Sequence, residues 1–129
     1  MNEPLEPETE RVATQIVDAC FKVHSALGPG LLESVYEVCL AHEFQKRGLA
    51  FDRQKVLPVV YDGVQIESGL RLDFLVEKRV IVEMKAIEEI APVHQAQVLT
   101  YLKLTGTRLG LLVNFNVSRI KDGLKRIIL

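Results

Sequence analysis

Two amphipathic patterns near the start of the chain predict two helices. Between about Glu8 and Leu27, apolar side chains recur at intervals of three and four positions, and the glycine-proline break at 28–30 ends this pattern. Residues 31–47 then form a second amphipathic segment, which stops at Gly48. The first third of the chain is therefore expected to be helical.

Residues 49–66 change to the β-branched composition of strands. Asp62-Gly63 separates two β-rich runs and is the best hairpin signal in the chain. Pro58 lies in the first run, and it indicates an edge strand or a bulge because proline has no N–H to donate to a ladder.

A second hairpin is predicted around the charged turn at 77–79. We expect a loop of three residues, with Val76 opposite Val80. The same register puts Asp73 directly opposite Glu83. A loop of two residues would send these two acids to opposite faces, but Glu-Lys lacks the glycine or asparagine that such tight turns favour.

This hairpin brings acidic and basic side chains together inside apolar strands. Glu83 and Lys85 are two residues apart, so the period of a strand sends both to one face. Two carboxylates opposite each other repel, and a fold keeps them most easily when a cation lies between them. The sequence therefore predicts a site with Asp73, Glu83, Lys85 and a metal ion. The alternative is a simple ion pair on the strand face, which leaves Asp73 unexplained.

The last part of the chain predicts a strand-helix-strand unit. Residues 93–106 form a third helix, and the uninterrupted apolar run at 109–115 is typical of a strand buried on both faces. Together with the preceding strand they predict a parallel pair with a right-handed crossover. The segment 118–129 is basic and then apolar, and it predicts a turn and a short closing strand.

One face of the second predicted helix and one face of the third carry groups of polar side chains. His94, Gln97 and Tyr101 are spaced three and four apart on the third helix, and all three can donate hydrogen bonds. Glu33 and Tyr36 share one face in the first turns of the second helix. A polar stripe is usually the solvated side of a helix, but the absence of charge and the three donors in the first group argue against that interpretation. Taken alone, an acid at Glu33 is explained by the helix dipole.

Composition limits the function classes. The 129 residues suit one domain, and we expect a flexible tail at 1–8 and a single domain at 9–129. A net charge of −1 gives no broad field for nucleic acid or membranes, so any phosphate contact must be local. The acidic start and the lack of an apolar run near the ~20 residues of a membrane span predict a cytoplasmic protein. Cys20 and Cys39 lack metal-ligand spacing and are expected to be reduced.

The order of the polar positions resembles a known nuclease superfamily. Asp73, then nine residues, then Glu83-x-Lys85 on two strands is similar to the metal site of PD-(D/E)xK nucleases. Gln97-x-x-x-Tyr101 on the next helix resembles the Q-x-x-x-Y motif of the RecB-like branch.

A second motif narrows the resemblance. Gly30-x-x-Glu33-x-x-Tyr36 resembles the signature of the small bacterial GxxExxY proteins, and the resemblance covers 12–129. Leu72 stands where the superfamily name has a proline, before the aspartate. The resemblance implies an α/β fold with a restriction-endonuclease-like core, in which a mixed central β-sheet of four or five strands is flanked by helices on both faces.

The resemblance also implies metal ligands. Asp73 and Glu83 would bind Mg²⁺ or Mn²⁺, the backbone carbonyl of Met84 would complete the shell, and Glu33 would be the helix-borne acid of the same site. Hard oxygen ligands of this kind suit these ions.

Three further residues have implied catalytic roles. Lys85 would orient the attacking water and stabilise negative charge, while Gln97 and Tyr101 would steady the site or the scissile phosphate. A lysine beside two acids stays protonated unless it is buried, so it acts as a charge more readily than as a base.

Two functions follow as hypotheses. The first is a divalent-metal-dependent nuclease that hydrolyses phosphodiester bonds, in DNA ahead of RNA. The second is a non-catalytic nucleic-acid-binding or assembly module that retains the nuclease fold, which small size and near-neutral charge favour. Nucleic acid is the expected partner, no membrane is expected, and a homo-oligomer is left open. A large exposed apolar patch would favour assembly.

Overall fold

The computed structural model describes residues 3–129, apart from the side chain of Ser68. No helix in this part of the chain is long and apolar enough to cross a membrane. The three predicted helices begin and end within two residues of the expected positions. The elements in chain order are α1 (Pro7–Leu27), α2 (Glu33–Lys46), β1 (Phe51–Tyr61), β2 (Val64–Val76), β3 (Val80–Lys85), α3 (Pro92–Thr105), β4 (Leu109–Asn114), a 3₁₀ turn (Ile120–Gly123) and β5 (Leu124–Ile128).

The strands form one five-stranded sheet in the order β1-β2-β3-β4-β5. β3 and β4 are parallel and joined through α3, whereas the other neighbouring strands are antiparallel. α1 and α2 share a core with one face of the sheet, and α3 shares a core with the other. The predicted mixed sheet with helices on both faces is confirmed, as are the parallel pair and the helix that joins its two strands.

The alternation of side chains along β3 decides which face carries the chemistry. Val82 and Met84 pack into the core beneath α1 and α2. Ile81 packs into the core beneath α3. Because successive strand residues point to opposite faces, Glu83 and Lys85 follow Ile81 to the α3 face.

The first predicted hairpin is confirmed. Tyr61 pairs with Val64, and the two turn residues have positive φ, +52° at Asp62 and +75° at Gly63. Positive φ at both positions is what a two-residue hairpin turn requires. Pro58 lies at a shift in the register of β1, which is the edge strand of the sheet, as predicted for a proline in a strand.

The β1–β2 hairpin projects beyond the rest of the sheet. β2 is 13 residues long, but β3 pairs only with its last part, Phe74 to Val76. We call 55–72 the ribbon, because here β1 and β2 pair with each other alone. Its exposed large apolar side chains are Val56, Val60, Tyr61, Val64 and Ile66.

The second hairpin has the predicted register and a turn with left-handed residues. Val76 pairs with Val80, so the loop contains three residues, as expected. Glu77 and Lys78 nevertheless both have a φ of +54°. Residues other than glycine rarely adopt this left-handed conformation, and here the pairing of the flanking valines imposes it.

Most of the predicted tail can be described. Arg108 donates hydrogen bonds to the carbonyl oxygens of Glu3 at 2.9 Å and Pro4 at 3.2 Å, and α1 begins at Pro7. Met1 and Asn2, which belong to the same predicted tail, lie outside the described residues.

Candidate active site

Asp73 and Glu83 meet where the ladder between β2 and β3 ends. The last ladder pair joins Phe74 to Val82, and the two acids are the next positions in the same register. In place of a further ladder pair, the Asp73 N–H donates to Glu83 Oε1 at 3.1 Å. The Met84 N–H donates to Asp73 Oδ2 at 2.8 Å. The predicted juxtaposition of the two acids is therefore present, with a backbone N–H group holding each carboxyl.

The carboxyl of Glu83 is held in unfavourable electrostatic surroundings. Glu83 is only 4% exposed. Burial, and after it the charge of Asp73, raises the pKa of Glu83 to about 9, although the Asp73 N–H and the charge of Lys85 act in the opposite direction. Glu83 is thus protonated at neutral pH unless another positive charge approaches it.

Lys85 lies on the same face as Glu83 and is half-buried. Its positive charge lowers the pKa of both Glu83 and Glu33, though in both groups burial dominates and the net pKa is raised. Within residues 3–129, no acid forms an ion pair with Lys85 within 4.0 Å. The ammonium group is close enough to act on the acids but is not neutralised by either.

Glu33 begins α2 and is exposed, yet its carboxyl responds to the charges of the site. Partial burial raises its pKa, the charge of Asp73 raises it further, Glu37 adds to the rise and Lys85 opposes it. Within residues 3–129, no three His, Cys, Asp or Glu side chains form a preformed metal cluster. Glu33 therefore lies beside the carboxyl pair without joining it in one cluster.

α3 places Tyr101 close to the same two acids. Tyr101 is buried, and burial, followed by the charges of Glu83 and Asp73, raises its pKa. Gln97, one turn earlier, is exposed and acts on the Tyr101 pKa in the opposite direction. His94, the third member of the polar stripe, instead accepts the N–H of the residue before α3 at 2.8 Å and so caps the helix.

Comparison with family models identifies the superfamily. The model described as the PD-(D/E)XK nuclease superfamily matches residues 10–127, which include β1 to β4 and all but the last residue of β5. This chain belongs to the PD-(D/E)XK nuclease superfamily. Comparisons with curated proteins and with solved structures give no match. The α/β architecture fits the restriction-endonuclease-like core of the superfamily, and membership supports a nuclease-like function.

Members of this superfamily typically use divalent metal ions, and the residues present fit one. Asp73 and Glu83 supply the hard oxygen donors that Mg²⁺ and Mn²⁺ prefer. The raised pKa of Glu83 arises from burial beside a second carboxylate, a condition that a bound cation relieves. The fixed part of the candidate metal site is therefore a pair of acids, not a cluster of three.

Tyr36, the last residue of the GxxExxY-like motif, shapes the chain ahead of Glu33. Its hydroxyl donates to the carbonyl oxygen of Gly28 at 2.6 Å and accepts the N–H of Leu31 at 3.2 Å. Gly30 has a φ of +97°, a conformation that favours glycine. Within this motif, Tyr36 and Gly30 therefore stabilise the loop between α1 and α2. Glu33 supplies the motif's carboxyl group.

Replacing Tyr36 with phenylalanine should lower the free energy of unfolding by about 1–2 kcal/mol. The ring stays stacked on Phe115, with centroids 4.6 Å apart, but the loop loses both partners of the hydroxyl. Urea denaturation measures the change. Tyr61→Phe is the matched control, because Tyr61 is 72% exposed on the ribbon and should lose nothing. Equal stability of Tyr36→Phe and the native protein would contradict this structural role.

The structure adds two residues to the site, Glu37 and Gln54, that were not predicted. Gln54 Nε2 donates to Glu37 Oε1 at 2.6 Å and to Asp73 Oδ1 at 3.2 Å. Arg53 Nε donates to the other oxygen of Glu37 at 2.7 Å. Glu37 follows Glu33 by four residues on the same helix face, and that spacing was the available signal. No sequence pattern indicated that Gln54 reaches the site.

Basic residues in the first 71 positions differ in their relation to the acid pair. At the far end of α2, Lys46 Nζ lies 3.5 Å from Glu43 Oε2 and Arg47 Nε lies 3.8 Å from Glu43 Oε1. Both residues thus form ion pairs with this buried acid. Arg53 reaches the site through Glu37, as described above. Arg71 is exposed and precedes Asp73 by two residues on β2. Arg53 and Arg71 are therefore the basic residues of this group that lie near the acids along the strands.

Proposed function

We propose that this protein is a divalent-metal-dependent nuclease that hydrolyses phosphodiester bonds in nucleic acid, with DNA as the expected substrate ahead of RNA. The observation that carries the proposal is the contact between Asp73 and Glu83, with Lys85 on the same face. An ordinary strand-face ion pair needs neither the second acid nor the burial of Glu83.

In this proposal Asp73 and Glu83 bind the metal ion. The bound ion would acidify a water molecule and neutralise phosphate oxygens. The N–H and C=O of one strand residue point to the same edge, so the Met84 carbonyl faces the edge where its N–H meets Asp73, in keeping with a ligand role. Glu33, which is exposed and coupled in charge to Asp73, would supply the further acid.

Three other residues would act on the water and the phosphate. Lys85 has an ammonium group free of ion pairs in the described chain, and it would orient the water and stabilise the charge that develops on the phosphate. The Tyr101 hydroxyl is a hydrogen-bond donor, and burial raises its pKa further from neutrality, so it would donate a hydrogen bond to the phosphate. Gln97 would support that phosphate contact from the exposed side of α3.

The ribbon favours a second function, that of a binding or assembly module. Scattered exposed apolar side chains are ordinary on protein surfaces. The ribbon instead has five large ones on its two strands, which it exposes on both faces, Tyr61 and Val60 being 72% and 68% exposed. Such a group is typical of an interaction surface. A protein of this kind would keep the fold and would bind nucleic acid or a protein partner without cleaving it.

A cleavage panel separates the two functions. Labelled single-stranded, duplex and flapped DNA and RNA are incubated with Mg²⁺, with Mn²⁺ and with chelator. Cleavage is expected with metal and not with chelator. Lys85→Ala is expected to lower the rate roughly a hundredfold, because a positive charge at the developing phosphate charge is lost.

Lys103→Ala is the matched control for this panel. Lys103 is an exposed lysine near the end of α3, so its removal changes net charge equally and should leave cleavage unchanged. If the native protein and Lys85→Ala behave alike on every substrate, the nuclease proposal fails and the assembly function takes precedence.

A further inference from the structure

We infer that Gln54 is a positioning residue that fixes the Asp73 carboxylate for the metal ion and ties it to α2 through Glu37. The inference rests on the proposed function, because it assigns Gln54 a task at the same metal site. It adds a residue from β1, a strand that contributes none of the acids or the lysine.

The backbone of Gln54 is the first observation. Gln54 has a φ of +52° within β1, whereas the other non-glycine residues of 3–129 with positive φ, Asp62, Glu77 and Lys78, lie in the two hairpin turns. Residues other than glycine rarely adopt this conformation, and it persists only where the surroundings impose it. The ladder partners of β1 and β2 on either side are regular, but Gln54 and Asp73 are not a ladder pair.

The hydrogen bonds of the side chain are the second observation. Both hydrogens of the Gln54 amide nitrogen have an acceptor, Glu37 Oε1 at 2.6 Å and Asp73 Oδ1 at 3.2 Å. The second oxygen of Asp73 accepts the Met84 N–H at 2.8 Å. Each oxygen of the Asp73 carboxylate thus accepts one hydrogen bond. A carboxylate oxygen can accept more than one, so the group is fixed in orientation and still has lone pairs for a cation.

Glu37 on α2, the other acceptor of the Gln54 amide, connects Asp73 to the helix that carries Glu33. The other oxygen of Glu37 accepts Arg53 Nε at 2.7 Å, so this acid is already neutralised and does not compete for the metal ion. Glu33 precedes Glu37 by one helical turn. By joining Glu37 to Asp73, Gln54 sets how far the helix that carries Glu33 lies from the acid on β2.

The affinity for Mn²⁺ distinguishes a positioning role of Gln54 from a purely structural one. Mn²⁺ is titrated calorimetrically into metal-free native protein, Gln54→Gly and Gln54→Asn. Glycine removes the amide but also relieves the left-handed backbone, so the melting temperature without metal should stay the same or rise. The Kd for Mn²⁺ should nevertheless increase by roughly 10-fold to 100-fold, the usual cost of losing a group that orients a metal ligand.

Gln54→Asn tests the same positioning role with a smaller change of the side chain. Asparagine keeps an amide and tolerates positive φ, but it is one methylene shorter and should not span Glu37 and Asp73. We expect weaker Mn²⁺ binding with a folded protein. If Gln54→Gly does not fold, the Mn²⁺ affinity of Gln54→Asn decides whether Gln54 positions Asp73.

Asp62→Gly is the matched control, because it relieves the same backbone conformation in a turn at the tip of the ribbon. Its Mn²⁺ affinity should equal that of the native protein. Native affinity in a folded Gln54→Gly, or in Gln54→Asn if the glycine variant does not fold, would overturn the role of Gln54 alone. If the native protein binds Mn²⁺ no better than Asp73→Asn does, the proposed metal-dependent function itself is overturned, and the role of Gln54 with it.

Discussion

Asp73→Asn is expected to reduce metal-dependent cleavage by at least about a thousandfold. A metal ion contributes several kcal/mol of charge stabilisation to the transition state, and each ~1.4 kcal/mol is a factor of ten in rate. Asparagine keeps the shape of the side chain and an oxygen for the Met84 N–H, which lies 2.8 Å from Asp73 Oδ2. It removes the charge that a cation requires. Single-turnover rates at saturating Mn²⁺ measure the loss.

Asp52→Asn is the control for this experiment. Asp52 is an exposed acid on β1 and loses the same charge, but no contact joins it to the acid pair. Its cleavage rate should equal that of the native protein. A folded Asp73→Asn protein that cleaves at the native rate would show that Asp73 does not bind the metal ion.

The metal-free protein is expected to lose stability as the pH rises from about 5 to 9. Burial, and after it the charge of Asp73, raises the pKa of Glu83 from 4.5 to about 9. Between these values the folded state binds more protons than the unfolded state, so the free energy of unfolding falls with increasing pH. The contribution of Glu83 is complete below pH 4.5 and lost near pH 9. At pH 8 the loss is at most roughly 5 kcal/mol, from 1.36 kcal/mol for each pKa unit.

Glu83→Gln isolates this contribution, because glutamine resembles the protonated acid. In chelator, the variant should show a flatter pH profile in urea denaturation and should exceed the native protein in stability at pH 8. Added Mg²⁺ should reduce the pH dependence of the native protein and leave the variant unchanged. Glu89→Gln, at an exposed position, is the control. Parallel pH profiles for the native protein and Glu83→Gln would contradict the electrostatic account of the site.

The second hairpin shows what a hydrophobic pattern determines and what it leaves open. Val76 and Val80 are both fully buried, so a slip by one residue would expose them, and the pattern therefore fixes the register. That register in turn places Asp73 opposite Glu83. The left-handed conformation of Glu77 and Lys78 could not be predicted, because a short loop adopts whatever dihedral angles the paired strands require.

The contacts of Gln54 could not be predicted from the sequence, for a different reason. Its two acceptors, Glu37 and Asp73, are 17 and 19 residues away along the chain. A pattern read along β1 records alternation between two faces, and it contains no information on a residue that leaves the alternation to meet another element. The hairpin register supplied the pair of Asp73 and Glu83, and the resemblance to a nuclease superfamily implied their roles as metal ligands, but the residues that orient them became visible only in three dimensions.

The projection of the ribbon determines where the molecule opens first. In the described chain the ladder between β2 and β3 has three residue pairs and ends at the hydrogen bonds of Asp73, and beyond them β1 and β2 rely on their own ladder and a few buried residues such as Leu57 and Leu72. Two-stranded hairpins are marginally stable alone, and proteins open locally in such units before they unfold. Asp73 lies at the boundary of this unit. Backbone amides of the ribbon should exchange with deuterium well before those of the parallel β3–β4 pair, and each opening would withdraw Asp73 from Glu83 while the core stays closed.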